Sequence, residues 1–338
     1  MSETAQKQPL VSIITPCYNG GWCVSRMIES VLAQSYPNIE YIVVDDGSTD
    51  NSAEIIKGYM PAFEEREYTL VYFWQENRGV AGAIQTGLKL FTGDYLCWVD
   101  QDDWLEPDSV EIRVRFLEEN TQYGVVTGDA NVRLGMDLDR VAGRISEKFP
   151  HSGDENQFEW MLKGESIFCP GCHMIRVSTF HKANPKRQIY DKSRGQNWQL
   201  LLPLYYLFPC KFLPTPVYNY VVYYNSVSHA PLKYYHTWEE FLTESCDTIF
   251  YTLEQIEETQ GVDLSEKKKS ARVTYARTQF RAALQYGEKA AAKRHFHALK
   301  QQTKPTMTDC LLYVLRGMSG LYRFASRLRK AIRRKRKK

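Results

Sequence analysis

Tyr95-Leu96-Cys97-Trp98-Val99-Asp100-Gln101-Asp102-Asp103 is an apolar run that delivers the chain into three carboxylates within four positions. Carboxylates so close repel one another and raise one another's pKa unless a cation or hydrogen-bond donors compensate. Hard oxygen ligands of this kind suit Mg²⁺ or Mn²⁺, which take one or two protein carboxylates and complete their shell with substrate phosphates. A plainer reading stands beside it: Asp100 ends a strand, and Asp102 and Asp103 cap a helix that starts near Pro107.

Two further segments upstream have the same form. Ile39-Glu40-Tyr41-Ile42-Val43-Val44 ends in Asp45-Asp46-Gly47-Ser48-Thr49-Asp50, and Leu10-Val11-Ser12-Ile13-Ile14-Thr15 runs into Pro16-Cys17-Tyr18-Asn19-Gly20. Each is followed by a helical pattern. Strands are expected over Leu10–Thr15, Glu40–Val44, Leu70–Trp74, Tyr95–Val99 and Gly124–Gly128, with helices over Trp22–Gln34, Asn51–Tyr59, Val80–Phe91 and Pro107–Glu119. Strands alternating with helices imply an α/β fold with a doubly wound, mostly parallel sheet. Ligands of such sheets lie beyond the carboxyl ends of the strands, where these loops converge.

The ordered series resembles a known family. Val11 to Asn19, Ile28 to Tyr36 and Val43 to Ser52, followed by Glu76-Asn77-Arg78-Gly79, Gly93-Asp94-Tyr95 and Asp100-Gln101-Asp102-Asp103, are similar to the opening of the family 2 glycosyltransferases. The resemblance is strong over residues 9–130 and loose over 160–230. It implies a Rossmann-like GT-A fold and inverting sugar transfer from a nucleotide donor. It further implies that Asp102 ligates Mn²⁺ or Mg²⁺, that Asp100 meets the donor ribose or the metal, and that Asp46 accepts from the base N–H, which favours uracil. Pro16 and Tyr18 would wall the base, and Asn77 and Arg78 would line the nucleotide pocket. His229, in a Ser-Val-Ser-His element similar to one that closes many family domains, is a candidate metal or diphosphate ligand.

The family pattern fails at the base. Displacement with inversion needs a carboxylate to take the acceptor's proton, commonly from a Glu-Asp-Trp segment, whereas this chain reads Gln196-Asn197-Trp198. Neither amide accepts a proton at neutral pH. A displaced base, Asp191 or Asp103, is the first expectation; Gln196, Asn197, Trp198 and His173 are assigned to the acceptor region.

With 338 residues, 43% of them hydrophobic, the chain can bury a full core. The expected organisation is a catalytic domain over 1–230, a helical extension over 231–306 and a basic amphipathic segment over 307–338. Within the extension, Thr237–Thr259 and Glu266–Leu299 read as long helices. Of eight cysteines only Cys169-Pro170-Gly171-Cys172 has CxxC spacing, and no second pair completes a zinc site. The N-terminus has no apolar signal region and the longest apolar stretch, Leu200 to Phe208, is too short to span a bilayer. A cytoplasmic protein is expected.

Residues 327–338 carry nine Lys or Arg and no acid, without which the formal charge of +3 becomes −6. Leu311, Val314, Leu315, Met318, Leu321, Tyr322, Leu328 and Ile332 precede or enter that run at helical spacing. A basic amphipathic helix reads as a membrane-surface element, so Arg327–Lys338 is expected to hold the protein to an anionic inner membrane face, each basic residue contributing about 1 kcal/mol. A solvated tail is the alternative, and nucleic acid is not an expected partner because no recognition module accompanies the charge. The expected function is therefore metal-dependent transfer from a UDP-sugar to a glycan or lipid-linked acceptor in cell-surface polysaccharide synthesis. The alternative is a catalytically impaired nucleotide-sugar-binding subunit of an assembly complex. A sugar-1-phosphate nucleotidyltransferase is disfavoured, since Pro16-Cys17-Tyr18-Asn19-Gly20 is not its Gly-rich basic loop.

Overall fold

The computed structural model describes residues 8–191, 195–224 and 235–315. Strands β1 (Val11–Cys17), β2 (Ile39–Asp45), β3 (Thr69–Trp74) and β4 (Tyr95–Trp98) alternate with helices α1 (Val24–Leu32), α2 (Ser52–Gly58), α3 (Met60–Glu65) and α4 (Gly79–Leu90). After them come β5 (Trp104–Leu105), α5 (Ser109–Glu119), β6 (Val125–Leu134), β7 (Asp137–Arg144), α6 (Phe158–Leu162), β8 (His173–Arg176), α7 (Val177–Ala183), α8 (Gln196–Leu207) and β9 (Cys210–Val222). The sheet order is β3-β2-β1-β4-β8-β6-β9-β5, with β7 on β6. The first four strands pair in parallel, while β8 runs antiparallel to both β4 and β6.

The sequence pattern explains these elements. β2 is buried at every position, as a parallel strand covered on both faces must be. In α1 the buried Val24, Met27, Ile28 and Val31 recur at the 3.6-residue period, so one face meets the sheet. β6 continues six residues beyond the expected Gly128, because β9 pairs with it along its whole length. The β9 side of that ladder slips between Leu213 and Pro216, where Pro214 and Pro216 offer no N–H to the sheet.

Two buried charges, one of each sign, show how the fold satisfies charge away from the sheet's carboxyl edge. Glu40, buried in β2, accepts from Ser12 Oγ (2.6 Å), Thr92 N (2.9 Å) and Thr92 Oγ1 (3.0 Å), so its burial is satisfied locally. Arg113 of α5, also buried, donates to Ser109 O, Ser109 Oγ and the carbonyls of Gly171 and His173. The guanidinium thus ties α5 to the Cys169–Cys172 turn.

The chain divides into two compact units, Met1–Ala230 with Tyr251–Val262, and Pro231–Phe250 with Asp263–Lys338. Helix α9 (Trp238–Gln260) contributes to both. The second unit packs Phe280, Ala283, Ala292, Phe296 and Leu299 into a core of its own. Its helices are α10 (Ser265–Tyr286), α11 (Lys289–Gln302) and α12 (Met307–Val314). The stretch expected as helix from Glu266 to Leu299 is therefore two helices. Gly287 ends α10 in the left-handed region at φ +80°, a conformation that costs other residues about 1–2 kcal/mol. No helix among the described residues is long and apolar enough to cross a membrane.

Candidate active site

The carboxyl ends of β1, β2 and β4 lie side by side, and their loops are laced together. Gln101, inside the acidic stretch, accepts from Tyr18 N (3.0 Å) and donates to Tyr18 O (3.1 Å), pairing with the β1 loop as a backbone would. The β1 loop is bound in turn to the β2 loop, through Asn19 N to Ser48 Oγ (2.9 Å) and Thr49 N to Asn19 Oδ1 (2.8 Å). Gly20 N donates to Ser52 Oγ at 2.8 Å.

Adjacent aspartates in the β2 loop have different tasks. Asp45 is consumed by the fold: Ser48 N donates to one oxygen and Tyr72 Oη to the other. Asp46 is buried, and its Oδ1 accepts from Gln75 Nε2 (2.6 Å) and Arg78 N (2.9 Å). Among the described residues none donates to its Oδ2, which leaves one oxygen of an oriented carboxylate for a ligand. Tyr18 is about half exposed beside this loop and Pro16 lies within β1. Asn77 Oδ1 accepts from Gly79 N at 3.3 Å and holds the turn into α4.

The acidic stretch has a stronger electrostatic character. Burial, and then the charge of Asp102, push the Asp100 carboxyl up to about 7. Burial also raises Asp102, offset by a hydrogen bond from its own backbone N–H and then by the Arg26 guanidinium, which donates to the Asp102 carbonyl and lies over the Trp104 ring at 4.8 Å. Asp103 is raised well above the usual carboxylate range by burial and by both neighbours. Its carboxylate is occupied: Tyr218 Oη donates at 2.6 Å and Val221 N at 2.7 Å. It fastens β9 to the loop and, at 1% exposure, is not presented to an acceptor hydroxyl.

Asp100 and Asp102 are less occupied: among the described residues no side chain donates to either carboxylate, and Asp102 has its own backbone N–H. Two crowded carboxylates of this kind match the donor set of a divalent cation that takes its other ligands from substrate and water. The residues fit Mg²⁺ or Mn²⁺ in that way. Among the described residues no cluster of three His, Cys, Asp or Glu side chains is arranged to hold a metal alone. His229 lies outside the described residues.

On the other side of β4, Asn197 at the start of α8 accepts from Trp98 Nε1 (2.6 Å) and donates to Phe168 O (2.9 Å). An aspartate there could not make the second bond, so the amide has a structural reason. Trp198 stacks with the exposed Phe168 at 6.5 Å between centroids. Gln196 is buried. His173 is wholly buried behind Trp98, hydrogen-bonded through Nδ1 to Thr127 Oγ1 (2.9 Å), and pushed down to about 3 by burial and by Arg113. It is a neutral core histidine with no exposed surface. Asp191 is half exposed and ion-paired with Arg78.

Several functional positions escape sequence reasoning. Tyr218 accepts from Asp100 N (3.2 Å) while donating to Asp103, so one phenol spans the acidic stretch. Its ring lies against Gly171, where an added Cβ would stand 2.1 Å from it. The CxxC turn therefore serves as a seat for Tyr218, its two thiols buried and free. Only the glycine within that spacing signalled a close approach.

Residues 12–183, just over half of the chain, match the family described as glycosyl transferase family 2. Glycosyltransferase GlyA of Streptococcus pneumoniae is 43% identical over 109 residues, 32% of this chain and 15% of that protein. Chondroitin synthase of Escherichia coli is 28% identical over 225 residues, 65% of this chain and 30% of the relative. The matches span less than half the length of these curated relatives. The crystal structure of S. aureus TarS residues 1–349 aligns over 93% of this chain and 91% of that one, with a TM-score of 0.56 and 15% identity. The likeness to TarS is one of fold, and it extends through the C-terminal helices.

Proposed function

Since this chain belongs to glycosyl transferase family 2, we propose that it moves a sugar from a UDP carrier to a glycan or lipid-linked acceptor of a surface polysaccharide. The observation that carries this is Asp46, whose Oδ1 is tied by Gln75 and Arg78 while no described residue donates to Oδ2. A fixed carboxylate with one open oxygen suits the imide N–H of uracil. TarS, similar in fold, has been solved with UDP and with UDP-GlcNAc, which supports the same choice of base. The likeness to chondroitin synthase lends support to a glycan acceptor.

In this proposal Asp102 and Asp100 hold Mn²⁺ or Mg²⁺. Bound there, the cation would stabilise the charge that grows on the leaving diphosphate. Tyr18 and Pro16 flank the base, and Arg26 steadies the Asp102 backbone. Asp191 takes the acceptor's proton, because Asp103 has both oxygens engaged and position 197 is an amide. His229 is kept as a candidate ligand of the metal or diphosphate on the family resemblance alone. Trp198 and Phe168 offer a stacking face to an acceptor ring.

The test is release of UDP from a UDP-hexose with Mn²⁺ or Mg²⁺. Turnover is expected, with loss of 10²-fold or more in Asp102→Ala, the scale of removing a charge-stabilising group. Activity indifferent to chelator would remove the metal assignment. A second reading, a subunit that binds the donor without turnover, is favoured by the saturated bonding of Asn197. Calorimetric binding of UDP-sugar with no turnover across an acceptor panel would establish it instead.

A further inference from the structure

Arg78 faces two ways. Its N–H holds Asp46 at 2.9 Å, and its guanidinium is paired with Asp191. The Asp191 end is built with equal care. Gln85 of α4 accepts from Ile189 N (2.6 Å) and donates to Arg187 O (3.0 Å), while Gln199 of α8 accepts from Tyr190 N and donates to Tyr190 O (2.9 Å). Two glutamines thus stand in for strand partners and deliver Asp191 to Arg78. Both side chains of the pair are 45% exposed, so solvent and ligand can compete for either.

A nucleotide seated on Asp46 lies within one side-chain length of that guanidinium. The planar fork of an arginine matches phosphate oxygens in bidentate fashion, and a diphosphate presents more charge than one carboxylate. While the pair is closed, Oδ2 of Asp191 is covered by the guanidinium and is not offered to an acceptor hydroxyl. Resting on the glycosyl-transfer reading above, we infer that Arg78 couples the two substrates: the donor's diphosphate draws its guanidinium off Asp191, and the base is free only once the donor is seated. The acceptor hydroxyl then gives its proton to Asp191 as its oxygen bonds to C1. The C1–O bond to the diphosphate breaks, and the leaving group keeps the electron pair.

Calorimetry with UDP and with uridine tests this without any knowledge of the acceptor. Asp191→Asn is expected to tighten UDP about two- to fivefold, the worth of a half-exposed ion pair that no longer has to open, and to leave uridine unchanged. Arg78→Gln should weaken UDP, and in that background Asp191→Asn should bring no gain. Unchanged UDP affinity in Asp191→Asn, an equal gain for uridine, or a gain that persists beside Arg78→Gln would overturn the coupling. Failure of the wild-type protein to bind any nucleotide would instead overturn the functional reading itself.

Discussion

Asp100 and Glu40 are both acids in a buried sheet, and the contrast between them separates function from fold. Glu40 is surrounded by donors, whereas Asp100 gains a hydrogen bond only through its backbone N–H, to Tyr218. The cost has a sign. With its carboxyl raised from 3.8 to about 7, the native state binds a proton that the unfolded chain has already released. Stability therefore falls as pH rises from about 4 to 7 and levels off above that. Asp100→Asn should remove the penalty and stabilise the metal-free protein at pH 8 by on the order of 2 kcal/mol, with little gain at pH 4. Urea denaturation at the two pH values checks this. Equal effects at both would mean that packing, not charge, decides.

Among the elements, the short turn at Cys169–Cys172 governs the acidic stretch from a distance. Arg113 holds its Gly171 carbonyl, Gly171 seats the Tyr218 ring, and Tyr218 bonds both Asp100 and Asp103. Gly171→Ala should displace that ring, lowering stability by about 1–3 kcal/mol as overpacked cores do. Donor hydrolysis should fall more steeply than the melting temperature predicts, because the carboxylates move with the phenol. A variant that loses stability while keeping full turnover would show the turn to be packing alone.

How much of this was legible follows from range. The β1–α1–β2 alternation and the loops at Asp46 and Asp100–Asp103 could be read because period and strand-end polarity are local properties. The task of Asp103 could not, since it depends on β9, more than a hundred residues later, and on the register that brings Val221 N to it. Asn197 looked like a lost acid; only Trp98 and Phe168 show what the amide does. The break at Gly287 was visible as a glycine, but one glycine inside an Ala-rich helical pattern costs too little to announce a turn. Gln85 and Gln199 carried no signal, because a buried glutamine is defined by its partners.

At the scale of the whole molecule, charge is divided unevenly along the chain, with nine basic residues gathered in the last twelve. That segment lies outside the described residues, and its membrane role is a proposal from composition. Flotation with vesicles containing anionic lipid should carry the full chain upward and leave a chain ending at residue 326 behind, with the difference shrinking as salt screens the charge. Equal flotation of both forms would discard it. Neither result would alter donor hydrolysis by the first compact unit, whose core and acidic loops are its own.

The glutamine pair that carries residues 187–190 has an evolutionary corollary. Where the nucleotide end is fixed by strand register, any change of geometry disturbs the sheet. Where Asp191 is aimed by two side-chain amides, substitution at positions 85 or 199 can shift this proposed proton acceptor at the cost of one or two hydrogen bonds, each a net contribution of roughly 1 kcal/mol. Recognition of the carrier and choice of acceptor can thus drift independently, one conserved by the backbone while the other is left to two replaceable residues.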